Sequence, residues 1–255
     1  MDFSVDELTR DRFLGGQLQI WQPQSGYRAG IDPVLLAASV PAKKGQTVLE
    51  LGCGVGVASL CLACRVAGLH LTGVEIQPDY AELARLNAAE NKIPMPIITA
   101  DLCRLPPEIL QQRFDHVIAN PPYFIGARRT AAKDCGRETA LAGGAPLEDW
   151  ISAASRRLAP GGRLTVIQNA ARLPDLLEAC TGRVGSLVVT PLAPRIGRAA
   201  NLIVLQARKG GKAAFRLSAP IIMHQGDVHD ADRESYSPLL KDVLRKGAPL
   251  FSTQD

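Results

Sequence analysis

Val48-Leu49-Glu50-Leu51-Gly52-Cys53-Gly54-Val55-Gly56 decides how this chain folds. A short apolar run stops at three glycines with the spacing GxGxG. Thr47 to Leu51 reads as a strand and Val57 to Ala67 as the helix after it. Glycines between the two let the backbone turn tightly and approach a ligand, and the first amides of the helix face that ligand. A dinucleotide site has its last glycine one place later, as GxGxxG. Taken alone, the segment also suits a plain strand-to-helix turn.

Downstream, β-branched runs and longer helical stretches alternate. Leu69 to Val74 reads as a strand, Pro78 to Asn91 as a helix, and Pro96 to Thr99 as a strand. Asp115 to Ala119 is a strand stopped by two prolines, which cannot donate to a ladder. Leu147 to Leu158 is a helix ended by Pro160-Gly161-Gly162, followed by a strand at Leu164 to Gln168 and a helix at Ala171 to Thr181. Ser186 to Pro191 and Leu202 to Ala207 have no helix-length segment between them, so they pair antiparallel. The pattern predicts an α/β fold with a mostly parallel sheet of seven strands covered on both faces, closed by that hairpin. Residues 46–209 form this core. Residues 1–45 are an N-terminal extension and 210–255 a C-terminal extension packed on the core. In the first, Asp32 is placed to cap a short helix, Val34 to Val40, with Pro33 at its first position. The second ends in a short amphipathic helix, Pro238 to Arg245.

In such a sheet, residues just past the strands gather at one edge. Glu75 ends the strand after the glycine loop, where a carboxylate can take both hydroxyls of a ribose. Asp101 and Leu102 follow the next strand; the acid can accept from an adenine amino group while the leucine packs on the ring. Glu50 to Gly56 with Glu75 and Asp101 resembles the class I S-adenosylmethionine-dependent methyltransferases. That resemblance covers residues 47 to 207. It implies a Rossmann-like seven-stranded sheet whose last strand is reversed, with S-adenosyl-L-methionine as cofactor across the glycine loop.

Asn120-Pro121-Pro122-Tyr123 follows the fourth strand at the same edge. It resembles the motif of methyltransferases acting on an NH2 conjugated to a ring or carbonyl. Such a nitrogen has a delocalised lone pair. Two acceptors, the Asn120 side-chain oxygen and the Pro121 carbonyl, can hold its two N–H bonds and free that pair. The double proline keeps them in place. Tyr123 offers a face on which an extruded base can stack. The motif suits adenine N6 in RNA or DNA, or a protein glutamine amide. A non-catalytic RNA-binding scaffold on the same fold would need neither Glu75 nor this turn.

Asp11 to Gly16, Gln22-Pro23 and Gly26 to Ala37 resemble the N-terminus of the tRNA adenine-N6 methyltransferases that modify the base beside the anticodon of a valine tRNA. Asn120 to Phe124, Arg137-Glu138 and the Pro191 to Lys209 hairpin are similar too. The glutamine methyltransferases share Asn120 to Tyr123 but carry a longer helical domain in front. The resemblance implies catalysis at Asn120, Pro121, Pro122 and Tyr123. It implies cofactor contacts from Arg28, Asp32, Glu50, Leu51, Gly52, Cys53, Gly54, Gly56, Glu75, Ile76, Asp101, Leu102 and Asn120, with Arg28 and Asp32 in a lid. It implies a tRNA anticodon stem-loop held by Arg128, Arg129, Arg195 and Arg198.

The bulk composition agrees. The chain has 255 residues, 29 basic against 25 acidic, so its small positive balance permits a nucleic acid without demanding one. No stretch approaches the roughly 18 apolar residues of a membrane span. The first residues carry Asp2, Asp6, Glu7 and Asp11 and lack a signal-peptide pattern. A cytoplasmic monomer is expected. Cys53, Cys61, Cys64, Cys103, Cys135 and Cys180 show no disulfide framework, and His70, His116, His224 and His229 share no spacing. No metal is expected.

Overall fold

The computed structural model describes residues 3–123, 145–226 and 235–251. Strand β3 (Thr47–Leu51) lies at the centre of the sheet, and its residues alternate between two cores. Val48 packs with one helical layer, and Leu49 and Leu51 with the other. The same alternation runs through β6 (Phe114–Ala119), β7 (Leu158–Asn169) and β9 (Leu202–Arg208). A strand buried on both faces reads as a continuous apolar run, as these do. Helices α1 (Asp32–Ser39), α2 (Val57–Arg65) and α3 (Pro78–Glu90) cover one face. Helices α4 (Pro107–Leu110), α5 (Leu147–Arg157) and α6 (Leu173–Cys180) cover the other.

The central order is β5-β4-β3-β6-β7-β9-β8, with β4 (His70–Glu75), β5 (Ile97–Thr99) and β8 (Gly185–Ala193). Strand β9 is antiparallel to both neighbours, β7 and β8, and the rest of these seven pair parallel. The sheet differs from the predicted count of seven. Two short strands from beyond residue 209, β10 (Arg216–Leu217) and β11 (Ile221–Ile222), pair with the outer edge of β8 and make nine. Two-residue strands carry no periodicity, so the pattern along the chain is silent about them.

Three further differences have local causes. Pro160-Gly161-Gly162 does not separate helix from strand. It lies inside β7, as a bulge where Phe114 pairs with Leu158 and His116 with Arg163. A Cβ on Gly162 would lie 2.9 Å from the Ala159 carbonyl oxygen, so the bulge needs glycine there. Asp32 does not cap α1: Ile31 is the N-cap, Asp32 sits in the first turn, and no side chain caps the helix. Residues 8–23 form a hairpin, β1 (Leu8–Phe13) and β2 (Leu18–Pro23), separate from the main sheet. Its outer edge is not left open. Asn87 on α3 and Asn91 at its C-cap, one turn apart, act as a surrogate strand. Each accepts from one backbone amide of β2 and donates to the carbonyl of the same residue, Trp21 for Asn87 and Gln19 for Asn91, at 2.7–3.1 Å. The hairpin is thereby tied to the helix that follows Glu75. Near the C-terminus, α7 (Pro238–Lys246) buries Leu240 and Val243 in the same core as α1 and α2.

Candidate active site

Because β3, β4, β5 and β6 are parallel, their carboxyl ends share one edge, and the loops leaving them meet there. Glu75, the last residue of β4, lies beside the glycine loop. Its Oε2 accepts from the Gly54 amide at 2.8 Å, and its Oε1 from the Gln77 amide at 2.9 Å. Burial raises its pKa, and the amide bonds oppose that shift. Glu50, one pleat earlier on β3, is 3% exposed and turned towards α2. Its Oε2 accepts from the Ser59 amide at 3.0 Å and the Ser59 hydroxyl at 2.5 Å. Burial pushes its pKa up to about 7; the Ser59 bonds lower it and the Glu75 charge raises it.

Gly52 and Gly54 have left-handed φ of +62° and +53°. A Cβ on Gly52 would lie 2.3 Å from the Trp150 ring of α5, so that indole closes directly over the loop. A Cβ on Gly54 would meet the Tyr27 ring at 3.6 Å. These loops enclose a cavity of about 660 Å³. Of the residues anticipated to hold a cofactor, Arg28, Glu50, Gly52, Cys53, Gly54, Glu75, Ile76, Asp101, Leu102 and Asn120 line it. Leu51 points instead into the core beneath α5, and Gly56 heads α2 against Ala84. Asp101 lines the cavity while its Oδ1 accepts from the Cys103 amide at 2.8 Å.

The Asn120 turn opens on the same space, since Asn120 and Pro122 are part of its wall. Pro121 is not among the residues that line it. Its carbonyl accepts from Nε2 of Gln168, a fully buried side chain on β7, at 3.2 Å. The Gln168 oxygen in turn accepts from the Asn169 amide at 2.8 Å, which fixes the orientation of the amide group. The Tyr123 hydroxyl donates to the Asp32 carboxylate. Burial first, then that bond, raises the Tyr123 pKa.

The cavity roof comes from residues 26–29. Arg28 lines it and is braced from behind by Asp11 at 2.7 Å, Thr9 Oγ1 at 2.8 Å and the Pro23 carbonyl at 2.7 Å. Tyr27 is 52% exposed overall, yet its hydroxyl reaches inward to the Asn120 side chain. Burial of that end, then the charges of Asp32 and Glu50, pushes its pKa up to about 12, so it stays protonated. Tyr80, on α3, holds the Tyr27 backbone with one hydroxyl, accepting from its amide at 2.9 Å and donating to its carbonyl at 3.2 Å. The roles of Tyr27, Tyr80, Trp150 and Gln168 have no motif. Of the four, only Gln168 stands out locally, as an amide directly after the apolar pair Val166-Ile167 near the end of β7.

Among the anticipated RNA contacts, Arg128 and Arg129 lie outside the described residues, as do Arg137 and Glu138. Arg195 and Arg198 sit in the β8–β9 turn. The Arg195 guanidinium donates to the carbonyls of Gln225 and Gly226, and Arg198 is exposed. The five described cysteines form no disulfide, with Cys61 buried and Cys64 exposed on α2. Among the described residues no group of three or more His, Cys, Asp or Glu is placed to hold a metal ion, and no helix is long and apolar enough to cross a membrane.

Residues 28–190 match the family model of the Methyltransferase small domain. A Porphyromonas gingivalis protein named tRNA1(Val) (adenine(37)-N6)-methyltransferase is 37% identical over 95% of this chain and 96% of its own length. A Haemophilus influenzae protein of the same name is 30% identical over 92% of this chain and 99% of its own. The crystal structure of a predicted O-methyltransferase from Agrobacterium tumefaciens superposes with a TM-score of 0.69 at 27% identity, over 88% of this chain and all of that one. With the glycine loop, Glu75 and the Asn120 turn on one cavity, these likenesses establish that the chain belongs to the Methyltransferase small domain family.

Proposed function

We propose that this chain is an S-adenosylmethionine-dependent methyltransferase whose acceptor is the exocyclic N6 of an adenine in tRNA, beside the anticodon. One observation carries the reading: Asn120 and Pro122 face the same cavity as Gly54, Glu75 and Asp101. The chemistry of the walls fits the cofactor. Glu75 presents carboxylate oxygens beside a loop whose glycines leave room for a ligand backbone-close, and Asp101 and Leu102 offer an acceptor and an apolar face across from it. Bound there, S-adenosylmethionine supplies an electrophilic methyl group.

The remaining work falls to the chain itself. The Asn120 side-chain oxygen accepts one N–H of the target amine and the Pro121 carbonyl the other, which frees the nitrogen lone pair for attack. A carbonyl has two lone pairs. Gln168 takes one on Pro121 and holds the other in a fixed direction, so little reorganisation is needed. The alkylated nitrogen then sheds a proton, and no side chain is required to remove it beforehand. Tyr27, protonated, faces the Asn120 side chain and helps set its rotamer. Arg28 and Asp32 belong to a lid formed by the N-terminal segment, with Tyr123 locked to it. Arg195 and Arg198, in the β8–β9 turn, face the RNA, and Arg128 and Arg129, outside the described residues, are assigned to the same substrate. The names of the relatives support tRNA over protein as the acceptor class.

The test incubates the purified chain with methyl-labelled cofactor and either total tRNA or total protein. Label in N6-methyladenosine of tRNA is the expected result. Label confined to protein, on glutamine, would refute the proposal.

A further inference from the structure

The basic residues between Ala193 and Lys212 look like one cluster in sequence, but the fold divides them. Strand β9 runs against its neighbours and carries the chain across the whole sheet. Arg195 and Arg198 are left at the carboxyl edge with the cavity. Arg208, Lys209 and Lys212 arrive at the amino edge, seven strand residues away, roughly 20 Å at the usual rise. There Arg208 lies directly opposite Arg163 of β7. Both are exposed, and their side chains stand on the same face of the sheet. Two like charges facing each other across a ladder are destabilising. Neither has a carboxylate partner among the described residues, whereas Arg10, Arg28, Arg85, Arg172 and Arg183 each have one. Asp115, next to the His116 that pairs with Arg163, is already held by the amide and hydroxyl of Thr47.

The patch extends outward along the open edge of the sheet. Strand β10 places Arg216 opposite Val188, and Val188 is opposite Gln206, two residues from Arg208. Arg216 and Lys212 are exposed, and Phe215 and Leu217, on either side of Arg216, are 52% and 61% exposed. Arg208 donates to the Gly161 carbonyl at 3.4 Å, but none of these cations has a carboxylate partner among the described residues. Cations of that kind interleaved with exposed apolar faces are the chemistry of a surface that receives a polyanion with bases attached.

We propose that Arg163, Arg208, Lys212 and Arg216 form a second RNA site, which binds the phosphodiester backbone of the substrate outside its modified loop, at the edge of the sheet opposite the catalytic one. It rests on the reading of the substrate as a structured RNA. An anion shared by Arg163 and Arg208 offsets the repulsion built into that pair, and the site lengthens the footprint from one loop to a stem.

The experiment measures binding of full-length tRNA across a salt series for the wild type, Arg163→Gln/Arg208→Gln and Arg163→Lys/Arg208→Lys. Each neutralised phosphate contact contributes about 0.9 to the slope of log affinity against log salt, so the Gln pair is expected to lower that slope by about 2. The Lys pair keeps the wild-type slope. In methylation assays the Gln pair raises KM several-fold with kcat unchanged. Its melting temperature is not lowered, because a repulsive pair has been removed, so lost binding cannot be ascribed to misfolding. An anticodon hairpin trimmed to its loop and closing pairs is too short to cross the sheet and shows no difference between the proteins. An unchanged slope with full-length tRNA, or an equal fall with the trimmed hairpin, overturns the proposal. A slope difference in a protein that methylates no RNA would leave this site standing and sink the proposed reaction instead.

Discussion

The Tyr123 hydroxyl donates a hydrogen bond to the Asp32 carboxylate, joining the turn after β6 to the first turn of α1 across 91 positions of sequence. One end of this contact belongs to the candidate catalytic turn and the other to α1, the helix that follows the residues 26–29 roofing the cavity. The contact ties the candidate catalytic turn to the helix that continues from the cavity roof. A bond between a hydroxyl and an ionised carboxylate is among the stronger ones. Tyr123→Phe and Asp32→Asn are each expected to loosen the roof and weaken cofactor binding. In a double-mutant cycle on cofactor affinity, measured by calorimetry, the coupling should be about 1 kcal/mol. Strict additivity would show that the contact does nothing for the site.

Asn120→Ala separates binding from chemistry. The cavity keeps its glycine loop, Glu75 and Asp101, so cofactor affinity should change by less than about 1 kcal/mol. The rate of transfer should fall by at least about 100-fold, the usual cost of losing one acceptor or donor aimed at developing charge. Single-turnover kinetics with saturating cofactor decide it. Undiminished turnover would remove Asn120 from the reaction.

Gly52→Ala tests the contact between the loop and α5. The new methyl group would lie 2.3 Å from the Trp150 ring, on a backbone with φ of +62°. Overpacking and left-handed strain together cost about 2–4 kcal/mol, which lowers the melting temperature by roughly 5–15 °C. Trp150→Ala in the same chain should recover the overpacking part and leave the strain. If the two substitutions simply add, the ring is not what closes the loop.

Glu50 makes stability depend on pH in a defined direction. Its folded pKa is about 7 against 4.5 for the ordinary group. The folded state holds the proton more tightly, so its contribution is complete below pH 4.5 and is lost as pH rises to about 7. Between those limits the loss is on the order of 3 kcal/mol. Glu50→Gln cannot ionise and should escape it. The variant is expected to melt several degrees above the wild type at pH 8, with a much smaller difference at pH 5. Thermal unfolding followed by circular dichroism at the two pH values checks this, and an equal difference at both would show that Glu50 stays ionised throughout.

Gln168→Leu should leave the fold intact and release the Pro121 carbonyl. Leucine fits the surrounding apolar layer, but the Pro121 carbonyl loses its partner at 3.2 Å and the Asn169 amide its partner at 2.8 Å. The expected signature is a fall in kcat of about 10-fold with little change in KM for either substrate, since only the orientation of an acceptor is disturbed. A change confined to KM would assign Gln168 to binding rather than positioning.

The chain by itself determined the strand-helix alternation, the carboxyl edge and the groups presented there. Gly52, Gly54, Glu75, Asp101 and Asn120 each sit next to the end of a strand. A parallel sheet must bring such ends together, because every βα unit returns the chain to the same side. Local order was therefore enough to assemble one site from four distant segments. What only the tertiary structure decided is which side chains close that site. Tyr27 over Gly54, Trp150 on Gly52, Tyr80 on the Tyr27 backbone and Gln168 behind Pro121 are partnerships across elements. Periodicity states which face a residue takes and not what it meets there. The same limit hid the hairpin edge sealed by Asn87 and Asn91, the partner of Asp32, and the division of the basic run by β9. A strand that crosses the sheet puts neighbours in sequence on opposite edges, and only the fold shows where each one lands.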